Sequence, residues 1–252
     1  KLSIGDLSRT SRRSRHIAKF PNPEFPGILA NEHACMMLAR RCGLRAAETS
    51  IRPEALIVTR FDRVPRAGRG FSKVHVEDLL QVMDRYPYAK HTHEYVELME
   101  AMARIGVAKA GLLSTLRLYV FSYLIGNSDL HEKNVSVLRD RGQWFPTPAY
   151  DLVSTLPYAD RLDGADRMTL ALADEQFGRF EMEDFVRVAR PFGLLEMPVV
   201  KMIRKLAGAA LQHAPSVFAS AYRVVSEMHE APDEHRQVIL ATLQERAKTL
   251  TI

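Results

Sequence analysis

The pattern of apolar residues changes near Asp62, and this change limits the possible fold more than any other feature of the chain. Before Asp62, apolar residues alternate or cluster in short segments that are typical of β-strands. These segments are residues 1–4, 15–20, 49–52 and 55–60. One helix is predicted among them, from about Leu29 to Cys42, with Gly43 as its C-terminal stop. The first part of the chain is therefore predicted to be a small β-rich unit with a single helix.

After Asp62 most of the chain has the period of amphipathic helices. The predicted helices are residues 76–83, 94–105, 108–124, 182–192, 198–212, 216–228 and 232–248. One exception lies among them, because residues 135–138 and 144–148 read as two short strands joined by a polar turn that contains Gly142. The sequence thus predicts an α+β fold, with a β-rich part over residues 1–62 and a mainly helical part over residues 63–252.

Composition sets the class of protein. With 252 residues, 46% of them apolar, the chain can bury a continuous core as one domain or as two lobes. No run approaches the roughly 20 uninterrupted apolar residues of a membrane helix, so we expect a soluble protein that does not bind membranes. The formal net charge of +5 favours anionic partners, namely nucleotides, acidic proteins or nucleic acid. Cys35 and Cys42 are expected to be reduced thiols, which is typical of a cytoplasmic protein.

One loop and the segment after the hairpin carry residues suited to phosphoryl transfer. That reaction needs a carboxylate near the acceptor hydroxyl, an amide oxygen and a second carboxylate for magnesium, and a lysine for the phosphates. Asp129 precedes Asn134 by five positions and Asp151 follows the hairpin, as in kinase catalytic loops. Asp129 is therefore the predicted catalytic base, and Asn134 and Asp151 are the predicted magnesium ligands. The alternative is that Asp129 and Asn134 are turn-forming residues after a helix.

Lys19 lies on a predicted strand, and Glu32 follows near the start of the helix. A strand lysine paired with a helix glutamate matches the ion pair that anchors nucleotide phosphates in kinases. The alternatives are an edge-strand lysine that limits aggregation and a glutamate that interacts with the helix dipole. Between Lys1 and Lys19 there are no spaced glycines, so the loop that would cover the phosphates is missing from the pattern.

Several separated motifs form a set with these residues. They are residues 1–4, 17–21, 31–32, 59–63 (Thr-Arg-Phe-Asp-Arg), 76–81 (Val-Glu-Asp-Leu-Leu-Gln), 127–134 (Asn-Ser-Asp-Leu-His-Glu-Lys-Asn) and 149–151 (Ala-Tyr-Asp). Together they resemble the HipA-type serine/threonine kinases, the toxin components of bacterial toxin–antitoxin pairs. The resemblance extends from Lys1 to about Phe192 and more loosely to the C-terminus. It implies a two-lobed protein-kinase-like fold, with a nucleotide-binding N-lobe over residues 1–62 and a helical C-lobe over residues 63–252.

The resemblance also assigns roles to individual residues. Asp129 corresponds to the catalytic base, and the residues after it correspond to the loop group that contacts nucleotide and metal. These are His131, Glu132, Lys133 and Asn134. Tyr150 and Asp151 correspond to the final pair of the site, with Asp151 on magnesium.

The hinge against which adenine would lie corresponds to Thr59, Arg60 and Phe61. Thr59 stands where the family has glutamate, which leaves recognition by backbone groups intact. In the family an N-terminal subdomain and a glycine-rich loop, whose serine can be autophosphorylated, precede the residue that matches Lys1, so that serine cannot be assigned. A short toxin that receives the subdomain as a separate small protein and a longer family member both remain open.

The resemblance implies ATP and Mg²⁺ as cofactors, a translation component such as an aminoacyl-tRNA synthetase as protein substrate, and a cytoplasmic location. The expected partner is a DNA-binding antitoxin of the HipB type, with DNA bound only indirectly through it. Two alternative functions are a small-molecule phosphotransferase, since antibiotic and sugar kinases share the Asp-to-Asn spacing, and a non-catalytic scaffold that binds antitoxin and DNA. His91-Thr92-His93 is interpreted as an exposed loop rather than a zinc site.

Overall fold

The structure, a computed structural model, describes residues 8–9, 14–66, 70–85, 94–172 and 179–251. The strands are β1 (Ser8–Arg9), β2 (His16–Lys19), β3 (Thr49–Arg52), β4 (Ala55–Thr59), β5 (Arg63–Pro65), β6 (Phe71–Lys73), β7 (His75–Asp78), β8 (Ser136–Asp140) and β9 (Gln143–Pro146). The α-helices are α1 (Ile28–Arg41), α2 (Leu79–Val82), α3 (Tyr95–Arg104), α4 (Lys109–Ile125), α5 (Met182–Ala189), α6 (Glu196–Ser226) and α7 (Asp233–Thr251).

The N-terminal part is an antiparallel sheet in the order β1-β2-β4-β3 with the single helix α1. In β2, β3, β4 and α1 the predicted bounds agree with the structure to within one residue at each end. This agreement follows from short apolar runs bounded by turn residues, which are a strong local signal. The strand predicted over residues 1–4 lies outside the described residues.

Helix α1 is buried on nearly every side, although its sequence is not uniformly apolar. It contacts β3 and β4 and makes its largest contact with α6, so the sheet is joined to the C-terminal helices through α1. Three consecutive polar residues in its first two turns, Asn31, Glu32 and His33, are buried along with the apolar ones. Buried polar side chains are costly unless they are hydrogen-bonded, so these residues point to specific partners.

Asn31 is one of these partnered residues. Its Nδ2 donates to the Ser154 carbonyl oxygen at 2.8 Å and its Oδ1 accepts from the Ser154 amide at 2.9 Å, so it completes both backbone groups of one distant residue. We expect Asn31→Ala to lower the free energy of unfolding by roughly 2–4 kcal/mol, because both groups would be left buried without a partner. Urea unfolding measures this loss. Asn22→Ala is the control, since Asn22 Oδ1 accepts an exposed bond from the Glu24 amide, and a loss as small as the control's would contradict the account.

The prediction of a helix over residues 76–83 is partly wrong. Residues His75–Asp78 form β7, which pairs antiparallel with β8, and only Leu79–Val82 are helical. The boundary is set by a capping box: Asp78 Oδ1 accepts from the Gln81 amide, and Gln81 Oε1 accepts from the Asp78 amide, both at 2.9 Å. The predicted hairpin of β8 and β9 is confirmed, but β7 extends it to three strands.

The prediction of two helices over residues 198–212 and 216–228 is also wrong, since α6 runs unbroken from Glu196 to Ser226. Pro215 lies inside it and removes one backbone hydrogen bond. Residues on both sides of Pro215, including Ala214, Val217 and Phe218, are buried in the core. Packing against α1 and α7 therefore outweighs the cost of the proline.

In the rest of the C-terminal part, α3, α4 and α7 match their predictions closely, and the helix predicted over 182–192 ends in a 3₁₀ turn at Arg190–Phe192. The small hairpin of β5 and β6 was not predicted. Cys35 and Cys42 are free and buried, as expected of reduced thiols. Among the described residues, no helix has the length and apolarity needed to span a bilayer.

Candidate active site

Lys19 lies at the end of β2, where its ammonium group contacts two carboxylates. Its Nζ lies 3.0 Å from Glu32 Oε1 on α1 and 2.5 Å from Asp151 Oδ1 beyond β9. The Lys19 side chain is 11% exposed and that of Glu32 only 6%, so solvent screens their attraction weakly. The predicted Lys19–Glu32 ion pair is therefore confirmed as a contact. The same lysine also joins the sheet to the segment that carries Asp151.

Asp151 is placed by its backbone as well as by Lys19. Just before it, Ala149 is held against the segment after α1, since its amide donates to Arg45 O and its carbonyl accepts from the Ala47 amide, both at 2.8 Å. Asp151 itself has a φ of +56°, in the left-handed region that residues other than glycine seldom adopt. Such a backbone costs free energy, and residues of this kind cluster at functional sites. Here it turns the Asp151 side chain towards Lys19.

The protonation state of Asp151 follows from two opposing effects. Burial by itself would raise the pKa of the carboxyl group, but the Lys19 ammonium and, to a smaller extent, His131 hold that pKa below its ordinary value. The Asp151 carboxylate is therefore ionised at neutral pH. An ionised carboxylate that is about one third exposed can bind a cation from solvent.

The loop that carries Asp129 begins where α4 ends, at Gly126. This glycine has a φ of +68°, and a Cβ on it would lie 2.3 Å from Leu156 Cδ1, so only glycine fits the turn. The loop then closes on itself through backbone groups of Asp129. The amide of Asp129 donates to Asn127 Oδ1 at 3.0 Å, and its carbonyl accepts from Asn134 Nδ2 at 2.9 Å.

This hydrogen bond explains the spacing of five residues between Asp129 and Asn134. A 3₁₀ turn over Glu132–Asn134 folds the chain back, and the Asn134 amide nitrogen then reaches the Asp129 carbonyl. The bond uses the side-chain nitrogen of Asn134 and does not involve its side-chain oxygen, which is the atom that a magnesium ion would bind. The carboxylate of Asp129 is likewise not needed for these loop bonds.

The other predicted loop residues differ in position. His131 is buried, its Nε2 lies 3.9 Å from Asp129 Oδ1, and it contributes to the lowered pKa of Asp151, so it lies near both aspartates. Glu132 is fully buried beneath the loop. Lys133 is exposed, and its carbonyl accepts from the Tyr150 hydroxyl at 2.7 Å. The structure thus brings His131 to the aspartates, buries Glu132 and leaves Lys133 exposed.

Tyr150 connects this loop to the predicted hinge. Its hydroxyl also lies 2.5 Å from Ser136 Oγ, and its ring lies 5.7 Å from the ring of Phe61. Burial raises the pKa of the Tyr150 phenol, so the hydroxyl stays protonated and donates to Lys133. Phe61 and Tyr150 therefore form an aromatic pair beside Asp151.

The hinge residues are held by bonds of their own. The Thr59 amide donates to Glu48 O at 2.8 Å and the Arg60 amide to Arg15 O at 2.9 Å. The Arg60 guanidinium binds both carboxylate oxygens of Asp62, at 2.9 and 2.8 Å, and is therefore engaged within the motif. Among the bonds of the described residues, none uses the Phe61 amide. That amide is the hinge donor that remains for a ligand.

Residues that sequence analysis missed lie directly behind the site. Ser154 and Thr155 follow Asp151 and are fully buried; Ser154 binds Asn31, and Thr155 binds Ser128, which precedes Asp129. No periodicity marks these residues, because their partners are far away in the chain. The segments 1–4 and 91–93, which sequence analysis had singled out, lie outside the described residues.

Comparison with known proteins identifies the family of the chain. The family model described as the HipA-like C-terminal domain matches residues 1–214, most of the chain. The chain belongs to this family. The resemblance inferred from separated motifs is thereby confirmed, and the HipA-like domain contains every residue of the candidate site.

Two curated relatives support the assignment of this HipA-like domain. It is 30% identical over 207 residues to a Sinorhizobium fredii protein named "Putative kinase Y4dM", covering 75% of this chain and 49% of that protein. It is 29% identical over 183 residues to the serine/threonine-protein kinase toxin HipA of Shewanella oneidensis, covering 64% of this chain and 41% of HipA. The chain thus spans about half the length, or less, of these relatives.

A solved structure defines the fold. The HipA-like domain resembles a chain of the Shewanella oneidensis complex of HipA, HipB and operator DNA with a TM-score of 0.74 and 22% identity, covering 93% of this chain and 58% of that one. At this identity the likeness concerns the fold. The predicted α+β, two-lobed kinase-like fold, with a small sheet region and a larger helical part, is confirmed.

Proposed function

We propose that this domain is an ATP- and Mg²⁺-dependent serine/threonine protein kinase. The observation that carries the proposal is the contact of Lys19 with Glu32 and Asp151, 3.0 and 2.5 Å from its ammonium group. A strand lysine, a helix glutamate and a metal-binding aspartate must all be in place for a protein kinase to be active. The loop bond between Asn134 and Asp129 adds the remaining two groups. The division into lobes near Asp62 is part of the same proposal.

Each residue has a distinct role in the proposal. Lys19 binds nucleotide phosphates, and Glu32 holds its ammonium group in position. Asn134 and Asp151 hold Mg²⁺, which usually takes only one or two protein ligands together with phosphate oxygens. An ion held by these two residues would supply positive charge against the charge that develops on the phosphates during transfer. Asp129 accepts the proton of the acceptor hydroxyl.

The adenine would lie beside Phe61, whose amide is available within the described hinge. The Phe61–Tyr150 pair supplies an apolar surface next to Asp151. Thr59 and Arg60 support this surface through backbone bonds to Glu48 and Arg15, the residues just before β3 and β2. His131, which lies near both aspartates, orients the loop rather than binding the base.

We further propose a biological setting by analogy with the relatives. One relative is named a kinase toxin, and the similar solved chain lies in a complex with HipB and operator DNA. We therefore propose that this protein binds a HipB-like antitoxin and that it binds DNA only through that antitoxin. We also propose that it has an N-terminal subdomain or recruits one as a separate protein. The proposed substrate is a translation component such as an aminoacyl-tRNA synthetase.

The experiment that tests the activity follows the label from [γ-³²P]ATP in a cell lysate. With Mg²⁺ present, we expect label on serine or threonine of proteins, and no label when EDTA removes the metal. Label confined to small molecules would instead support a phosphotransferase of the antibiotic or sugar kinase type. Mg²⁺-ATP binding without any transfer would favour the scaffold.

A further inference from the structure

Thr155 has a buried hydroxyl group at the centre of a small hydrogen-bond network. Thr155 as a whole is only 1% exposed. Its Oγ1 accepts from the Ser128 amide at 3.0 Å and from the Ser128 hydroxyl at 2.8 Å. The Thr155 hydroxyl proton can reach either Gly126 O at 2.9 Å or Ala165 O at 2.6 Å. One hydroxyl group thus connects two loops.

The two connected loops are those that carry the aspartates. Ser128 immediately precedes Asp129, and Thr155 follows four residues after Asp151. The Thr155 amide also donates to Gly126 O at 2.9 Å, so backbone and side chain act on the same turn. On its other side, Ser128 is held by Thr169, whose hydroxyl donates to the Ser128 carbonyl. Ser128 therefore has little freedom to move relative to the Asp151 segment.

The residue before Thr155 extends the network to α1. Both backbone groups of Ser154 bind the side chain of Asn31, and Asn31 is adjacent to Glu32, the partner of Lys19. Two consecutive residues thus hold three pieces of the site: the helix behind Lys19, the segment of Asp151 and the loop of Asp129. The Asn31 contact uses main-chain atoms of Ser154, whereas the loop contact depends on the Thr155 hydroxyl.

We infer that Thr155 is a positioning residue that sets the place of Asp129 relative to Asp151, and that its hydroxyl is required for the rate of transfer but not for nucleotide binding. This inference rests on the proposed kinase function for its kinetic consequence. The Thr155 hydroxyl bonds to Ser128, Gly126 and Ala165, whereas the groups proposed to bind ATP are held by Lys19, which pairs with both Glu32 and Asp151. Removing the hydroxyl would leave the part-buried Ser128 amide without its acceptor and let the loop shift.

The test compares Thr155→Val, which keeps the shape and removes the hydroxyl, with Thr155→Ser, which keeps the hydroxyl. We expect Thr155→Val to lower kcat roughly 10- to 100-fold, since small displacements of a catalytic group have effects of this size. The KM for ATP should stay within about twofold of the wild type, because ground-state binding is intact. Thr155→Ser should restore kcat. Ser122→Ala is the control, since the Ser122 hydroxyl is buried in α4 and makes no hydrogen bond among the described residues.

A second measurement does not depend on kinase activity. Hydrogen exchange should become faster over residues 126–130 in Thr155→Val, with β2 unchanged, and should be normal in Thr155→Ser and Ser122→Ala. Unchanged exchange over residues 126–130 would overturn the inference. So would wild-type kcat in Thr155→Val, failure of Thr155→Ser to restore it, or an equal loss in Ser122→Ala. If the wild type transfers no phosphate, the proposed function fails, and the exchange data still decide whether Thr155 holds the loop.

Discussion

Replacing Asp129 with asparagine is expected to lower the rate of phosphoryl transfer roughly 10²- to 10⁴-fold, the range of a lost general base. The amide of asparagine has nearly the shape of the carboxylate but cannot accept the proton of the acceptor hydroxyl. The loop should keep its structure, because Asn127 and Asn134 bind main-chain atoms of Asp129 rather than its side chain. ATP affinity should therefore be unchanged.

Single-turnover transfer from [γ-³²P]ATP and calorimetric ATP binding measure the two quantities separately. Asp140→Asn is a suitable control, because Asp140 lies exposed at the tip of the β8–β9 hairpin. This variant should transfer phosphate at the wild-type rate. If Asp129→Asn transferred phosphate at the wild-type rate, Asp129 would not be the base. A parallel loss of ATP affinity would show that the residue acts through the fold of the loop.

Lys19→Met is expected to lower kcat/KM for ATP roughly 100-fold, comparable to the loss of one oriented charge donor in an active site. Methionine has a similar length but carries no charge, so the carboxylates of Glu32 and Asp151 would share a largely buried region without the ammonium group between them. The pKa of Asp151 would then rise, because burial would no longer be opposed by Lys19. Both phosphate binding and metal binding should weaken.

The loss of stability caused by Lys19→Met is also expected to depend on pH. The pKa of Asp151 lies below its ordinary value in the folded protein, so its pairing with Lys19 stabilises the fold above the unfolded pKa of about 4. That contribution is lost as pH falls through the lower folded value. The difference in unfolding free energy between wild type and Lys19→Met should therefore be largest at neutral pH and shrink below about pH 4.

Urea unfolding at several pH values and ATP titration measure these effects. Lys248→Met is the control, because Lys248 is exposed in the last turn of α7 and should change neither quantity. A stability difference for Lys19→Met that does not depend on pH would contradict the assigned ion pair. Unchanged ATP affinity would remove Lys19 from the nucleotide site.

Local patterns made part of the fold predictable. The strands β2, β3 and β4 and the helices α1 and α4 have apolar runs of regular period that end at turn residues such as Gly43 and Gly126. Where tertiary packing or a cap decides, the predictions failed. Pro215 is tolerated within α6 by its buried neighbours, and the capping box of Asp78 and Gln81 was read only as a family motif, although it ends β7 and begins α2.

The candidate site divides in the same way. Lys19, Glu32, Asp129, Asn134 and Asp151 were selected from residue type and spacing, because phosphoryl transfer demands those groups in a known order. Their mutual contacts could not be read from the sequence, since Lys19 and Asp151 are separated by 132 positions. The hydrogen bonds by which Thr155 and Asn31 hold the site could not be predicted for the same reason. Each depends on one side-chain hydroxyl or amide group whose partner is distant in the sequence, and no periodic pattern links the two.

The most direct test of the site is a crystal structure of the protein with Mg²⁺ and a non-hydrolysable ATP analogue. We expect the ion on the side-chain oxygens of Asn134 and Asp151, the phosphates at Lys19, the adenine beside Phe61, and the Asp129 carboxylate facing the terminal phosphate. A nucleotide bound elsewhere, or a metal ion that avoids Asn134 and Asp151, would contradict the account.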